Sequence, residues 1–204
     1  IEEDYWEVCW CYDRDATQAF LVVTIEQRDV ERLDADVADA GALLDELGAI
    51  DTYMLDSQAA ESLIAARERA FWSAKGAGAN EIVDIVVPRG AMPELITTAK
   101  ELAAGSESLI AGAGHAGDGN VHLAVFQQDD AKRSELMHKL FDTALRLGGS
   151  ISAEHGIGRE KKPYFLALED PNKIDLMRRI KQAFDPAGVL NPGAIFDIED
   201  PRKA

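Results

Sequence analysis

The stretch "GHAGDGNVH", residues 114–122, decides how this chain is read. It holds two of the four histidines, one acid and three glycines. Gly112, Gly114 and Gly117 match G-x-G-x-x-G after an apolar run. A dinucleotide fingerprint, however, needs a helix to open there so that its first N–H groups face the pyrophosphate. "NVHLAVFQ" (120–127) instead alternates Val121, Leu123 and Val125 with His122 and Ala124, which is a strand pattern. The fingerprint is accidental. Asp118-Gly119 favours a two-residue type I′ hairpin turn, with Gly117 opposite Asn120, Ala116 opposite Val121 and His115 opposite His122. Such partners share a face with Cβ atoms about 4.5–5.5 Å apart, and a slip by one residue would separate them. Two imidazoles held this way either converge on a metal ion or form a polar, hydrogen-bonded pair.

A tight metal site needs a third ligand. The best candidate lies in "SISAEHGIGREKKPYF" (150–165). Glu154 and His155 follow a predicted strand, and Gly156 and Gly158 let the backbone turn sharply. Glu154 would complete a His-His-Glu set with coordination positions left open; otherwise it is a surface carboxylate. His138 shares a helix side with Glu135, Lys139 and Asp142 and reads as a solvated bystander.

Working outward, residues 19–27 read as a buried strand. Residues 30–47 read as an amphipathic helix with Val30, Leu33, Val37, Leu44 and Leu47 on one face, stopped by Gly48. A short strand is predicted over 50–55. Asp56 or Ser57 caps a helix running through "ESLIAARERAFW" (61–72), and 75–80 is a break. A strand over 81–88 and a helix over 93–104 opened by Pro93 follow. Strands over 108–115 and 120–127 flank the quoted loop. A helix spans 130–147 and a short strand 150–154. Asp170-Pro171 starts a last helix with Ile174, Met177, Ile180 and Phe184 on one face. The predicted fold class is α+β, a mostly antiparallel sheet with helices on one face in a ferredoxin-like duplicated sandwich, plus a small C-terminal helical segment.

A chain of 204 residues is long enough for a substantial core. Its net charge of −16 argues against nucleic-acid binding, which needs clustered Lys and Arg. No run reaches the length of a membrane helix, and no signal peptide is evident. Cys9 and Cys11, one residue apart, read as free thiols of a reducing cytoplasm. The opening "IEEDYWEV" reads like an excised piece of a longer protein.

Three ordered motifs, "GHAGDGNVH", "SAEHGIGREK" and "FDPAGVLNPG", resemble the C-terminal portion of FAD-linked oxidases. The group comprises glycolate oxidase, D-lactate dehydrogenase and D-2-hydroxyglutarate dehydrogenase, in the vanillyl-alcohol oxidase fold family. "AARERAFW" and "VVPRGAMPEL" fit the same family's substrate domain. The resemblance implies residues 1–165 as a substrate or cap domain and 166–204 as a helical segment completing a flavin site, with the N-terminal FAD-binding domain absent. It implies that His115, His122 and Glu154 bind a divalent metal, zinc by preference, which contacts the substrate hydroxyl and carboxylate. His155 would be the catalytic base, Arg67 would bind the substrate carboxylate, and Asn191 would lie near the flavin. The D-2-hydroxyglutarate enzymes carry a lysine where this chain has Ile82, so glycolate or D-lactate is the better substrate class.

The expected activity of the intact protein is FAD-dependent oxidation of a D-2-hydroxyacid to the 2-oxoacid, the isolated chain being inactive. Expected partners are the small 2-hydroxyacid, an FAD-binding domain of the same or another chain, and an electron-transfer partner; a homo-oligomer is compatible. The location would be cytoplasmic, with membrane association only through a partner. Two other readings stay open: a metal-binding module docking on a separate flavin-binding chain, and a metal-dependent hydrolase using His-His-Glu and water.

Overall fold

A computed structural model describes residues 6–11 and 18–197. The antiparallel sheet is built from β1 (Trp6–Cys11), β2 (Gln18–Val23), β3 (Glu81–Val86), β4 (Leu109–His115) and β5 (Asn120–Phe126), in the order β2-β1-β4-β5-β3. The helices are α1 (Val30–Glu46), α2 (Ser57–Glu68), α3 (Ala70–Gly76), α4 (Met92–Gly105), α5 (Asp130–Arg146), α6 (Lys162–Leu168) and α7 (Pro171–Phe184). The fold is α+β, as expected from the hairpin signal and the short strands. No helix among the described residues is long and apolar enough to cross a membrane.

The period-2 alternation of β3 and β5 sorts the two faces of the sheet. Val83, Ile85, Val121, Leu123 and Val125 are buried on one face. They share a core with Leu95 and Ala99 of α4 and with Leu136, Leu140, Phe141 and Ala144 of α5. Phe165 of α6, Ile174 of α7 and Phe196 join the same core. The tail therefore packs on the same apolar centre as the strands. The opposite face carries Ile82, Asp84, His122, Ala124, Ala113 and His115. That face is where the sequence concentrates its chemistry.

Several expectations change. The segment read as a buried strand over 19–27 is β2, which ends at Val23 and forms the sheet edge. Phe20 is 61% exposed because, among the described residues, no strand covers that edge. Residues 50–55 form no strand; Ile50, Tyr53 and Met54 are exposed in a segment without regular secondary structure. The helix through residue 72 breaks at Arg69 into α2 and α3. Asp56 caps α2 by accepting from the Ala59 amide, as predicted. In α1, Leu33, Val37 and Leu44 are only half-buried, and Val30 and Leu47 are exposed. The side chains of Cys9 and Cys11 lie outside the described part of the structure; β1, where Trp6, Val8 and Trp10 alternate with Glu7, Cys9 and Cys11, is a strand beyond those expected.

The hairpin departs most instructively. His122 pairs with Ala113, and His115 with Asn120, so the connection is a four-residue loop over 116–119. The amides of Asp118 and Gly119 both donate to the His115 carbonyl, and the Gly119 carbonyl accepts from the Val87 amide. Gly119 alone of the two predicted turn residues has positive φ, at 78°, so the turn is not type I′. The register is shifted by two residues, an even number. The two histidines thus stay on one face as diagonal neighbours.

A side chain at Gly119 would collide with the Val87 carbonyl while holding a left-handed backbone. Gly119→Ala is expected to cost on the order of 2 kcal/mol or more. Urea denaturation should show it as a lowered midpoint at unchanged slope. An unaltered midpoint would mean that the hairpin can relax away from residue 87.

Candidate metal and substrate site

The site forms where the hairpin face meets the loop after α5. Ser150 makes an isolated bridge with Val86, but the predicted strand over 150–154 goes no further. The reason is a carboxylate. Asp84 Oδ2 accepts from the backbone amides of Ala153 (3.0 Å), Glu154 (3.0 Å) and His155 (2.9 Å). It also accepts from Ser152 Oγ at 3.2 Å. Donors that would have served a sheet ladder are drawn round one buried acid instead. Gly156 and Gly158, at φ 75° and 58°, let the chain leave this tight curl.

Asp84 is fully buried, and its charge is matched by buried Lys161. Lys161 Nζ lies 3.5 Å from Asp84 Oδ2 and donates to the Asp84 carbonyl and to Ser152 Oγ. Burial alone would raise the Asp84 pKa, but the backbone bonds and Lys161 hold it below the ordinary carboxylate value. Burial pulls Lys161 below the usual lysine value, against the opposing pull of Asp84. Losing either partner would strand an unpaired charge in the interior.

Above this base the predicted residues converge. His122 Nε2 lies 3.3 Å from Glu154 Oε1, and His155 Nε2 lies 3.7 Å from the same oxygen. The His122 ring stacks on His155 at 5.2 Å and meets His115 edge-on, also at 5.2 Å. Donor atoms of Asp84, His122, Glu154 and His155 all lie within 4.8 Å of one another. His115 stands one ring further out, with Nδ1 3.9 Å from Asp118 Oδ2. Burial lowers the pKa of His122 in spite of nearby Asp84 and Glu154, so its neutral, ligating form is favoured. His122, His155 and Glu154 at this spacing, beside Asp84, are a donor set that could hold a divalent ion, and His115 of the expected set stands outside the grouping.

The other predicted residues lie elsewhere. Arg67 is exposed in the last turn of α2, which packs chiefly on α3. Asn191 is exposed in the loop after α7 with φ 45°, and its carbonyl accepts from the Ala194 amide. Its loop is nonetheless tied to the 156–162 segment. Arg159 donates to the Pro192 carbonyl, Lys162 to the Gly193 carbonyl, and the Ile195 amide to the Gly158 carbonyl. The motifs at 150–165 and 184–193 are thus one structural unit. His138 is exposed on α5, away from the cluster. Asp84 and Lys161 are residues beneath the cluster that the motifs did not nominate. The signal for Asp84 was present: an acid inside "EIVDIVV", where every neighbour fits a strand core.

A buried acid thus lies beneath converging imidazoles, and the segment after them is tied to the NPG loop. The family described as FAD linked oxidases, C-terminal domain, matches residues 3–195. This chain belongs to that family. An uncharacterised FAD-linked oxidoreductase of Mycobacterium tuberculosis is 54% identical over 183 residues, covering 90% of this chain and 40% of the relative. A D-lactate dehydrogenase of Anaerostipes hadrus is 32% identical, covering 87% of this chain and 39% of the relative. The glycolate oxidase subunit GlcD of Bacillus subtilis is 32% identical, covering 92% and 41%. The chain therefore spans about two fifths of the length of these curated relatives.

Proposed function

We propose that this chain is the substrate-side part of an FAD-dependent dehydrogenase that oxidises a D-2-hydroxyacid of the glycolate or D-lactate type to its 2-oxoacid. The observation that carries the reading is the meeting of His122, Glu154 and His155 over one buried acid. His115, His122 and Glu154 are the proposed holders of a divalent ion, zinc by preference. When bound, that ion supplies positive charge to stabilise an alkoxide developing from the substrate hydroxyl. The flavin, when bound, supplies the two-electron acceptor for the hydride leaving C2.

The chain's own residues take the proton and set the geometry. His155, 44% exposed at its side chain, is open to an incoming hydroxyl and accepts its proton as general base. Its backbone is held by Asp84, so the ring is presented from a fixed anchor. Arg67 is assigned to the substrate carboxylate and Asn191 to the flavin side, on the motif resemblance. Ile82 sits two residues along β3 from Asp84 on the same face, opposite Ala124. These apolar neighbours suit a substrate without a second carboxylate.

Large apolar side chains left open between the start of α1 and the end of α3 and on α7, among them Leu47, Met54, Trp72 and Phe184, support a covering protein surface. A flavin-binding domain fits that role, whether in the same polypeptide or another. In the assembled flavoprotein, His155→Ala is expected to lower kcat roughly 100- to 10,000-fold with KM little changed. Steady-state kinetics with glycolate and D-lactate measure this; an unaltered kcat would strip His155 of the role.

A further inference from the structure

Two orphaned atoms face each other under the site. Among the described residues, neither Asp84 Oδ1 nor His122 Nδ1 has a hydrogen-bond partner, and both are buried. They lie 3.7 Å apart, beyond hydrogen-bond range. Each left alone is unfavourable, and a single bond between them would satisfy both. The strands place them for it, because Asp84 and His122 are direct cross-strand partners on one face.

We propose that Asp84 is a positioning residue with two tasks, holding His122 in the tautomer protonated at Nδ1 and pinning the backbone that carries Glu154 and His155. This rests on reading the cluster as a metal site, since its purpose is to turn the His122 Nε2 lone pair toward Glu154. Asp84 could instead be taken for a ligand. The geometry speaks against that: Oδ2 is occupied by Ser152 Oγ and three amides. Oδ1 faces the Nδ1 edge of the imidazole, whereas Glu154 faces the Nε2 edge. An ion held at Nε2 would sit on the Glu154 side of the ring, with an Asp84 oxygen near the cluster but already committed to its donors. A carboxylate behind a ligating histidine is a recurrent way to set its orientation.

Asp84→Asn makes the sharpest variant. Its amide oxygen must take over the cluster of donors from residues 152–155, which leaves the NH2 group facing His122. Nδ1 then becomes the acceptor, the proton moves to Nε2, and the ligating edge is blocked.

The test uses the 15N-labelled chain and long-range imidazole proton–nitrogen correlation spectra, followed by titration with Co2+ read by its visible absorption. Expected are an Nδ1–H tautomer at His122 in the unsubstituted chain and an Nε2–H tautomer in Asp84→Asn. Co2+ affinity should fall about 10- to 100-fold in the variant. Ser152→Ala, which removes one Oδ2 donor and leaves the His122 edge alone, should keep the tautomer. An Nε2–H tautomer in the unsubstituted chain overturns the proposal, and this holds even if Asp84→Asn fails to fold. Unchanged tautomer and affinity in Asp84→Asn overturn it too, as does an equal change in Ser152→Ala. If the unsubstituted chain shows the Nδ1–H tautomer, lost in Asp84→Asn, but takes up no Co2+, the metal reading fails and the hold of Asp84 on His122 stands.

Discussion

His122→Ala is expected to take the metal content of the purified chain from about one equivalent to almost none. His122 is the hub of the cluster: it faces Asp84 through Nδ1 and Glu154 through Nε2, and lies against both His155 and His115. Its loss would remove a proposed ligand and the ring between the other donors. The effect should therefore exceed the roughly 10- to 100-fold loss of affinity typical when an outer partner is removed. Elemental analysis after chelator-free purification gives the number, and His138→Ala, an exposed site on α5, is the control. Full metal retention in both His122→Ala and His115→Ala would remove the clamp. Because burial lowers the His122 pKa, protons should compete with the ion only below the ordinary histidine value.

Phe141→Ala is expected to destabilise the fold by about 3–5 kcal/mol. Phe141 is fully buried on α5, and its ring packs 5.1 Å from that of Tyr164 in α6. It thereby joins the helix under the sheet to the segment that follows the Glu154–His155 loop. Truncation leaves a cavity between rigid elements that cannot collapse fully. Urea denaturation should show the loss, and His138→Ala should stay within roughly 0.5 kcal/mol. A loss at Phe141 under about 1 kcal/mol would mean that α6 repacks freely, and that the site loop does not depend on this side of the core.

Legibility varies along the chain for physical reasons. Strands β3 and β5 and helices α4 and α5 are legible close to their observed ends, because one-sided burial writes a period into them. The segment over 150–154 has the look of a strand for the same reason. It is not one because Asp84, a distant residue, claims its amides. Helix α6 is hidden inside "GREKKPYF", being only seven residues long. β2 carries the composition of a buried strand, yet sheet order makes it an edge. Composition does not carry sheet order.

The turn shows the division most clearly. Asp118-Gly119 has the chemistry of a two-residue turn, and a four-residue loop formed instead. The Val87 amide, more than 30 residues away, holds the Gly119 carbonyl. The two-residue shift keeps every side chain on its own face, but it moves His115 from directly opposite His122 to a diagonal position.

Alternation from Asn120 to Phe126 was enough by itself to turn His122 away from the apolar core, and the paired motifs were enough to nominate His115, Glu154 and His155 beside it. Only the tertiary structure decided that a buried acid from β3 curls the second motif over the first, and that Lys161 neutralises it. Those bonds join residues 68 to 77 positions apart. Contacts at such separation depend on how the strands are ordered, and no local periodicity records them.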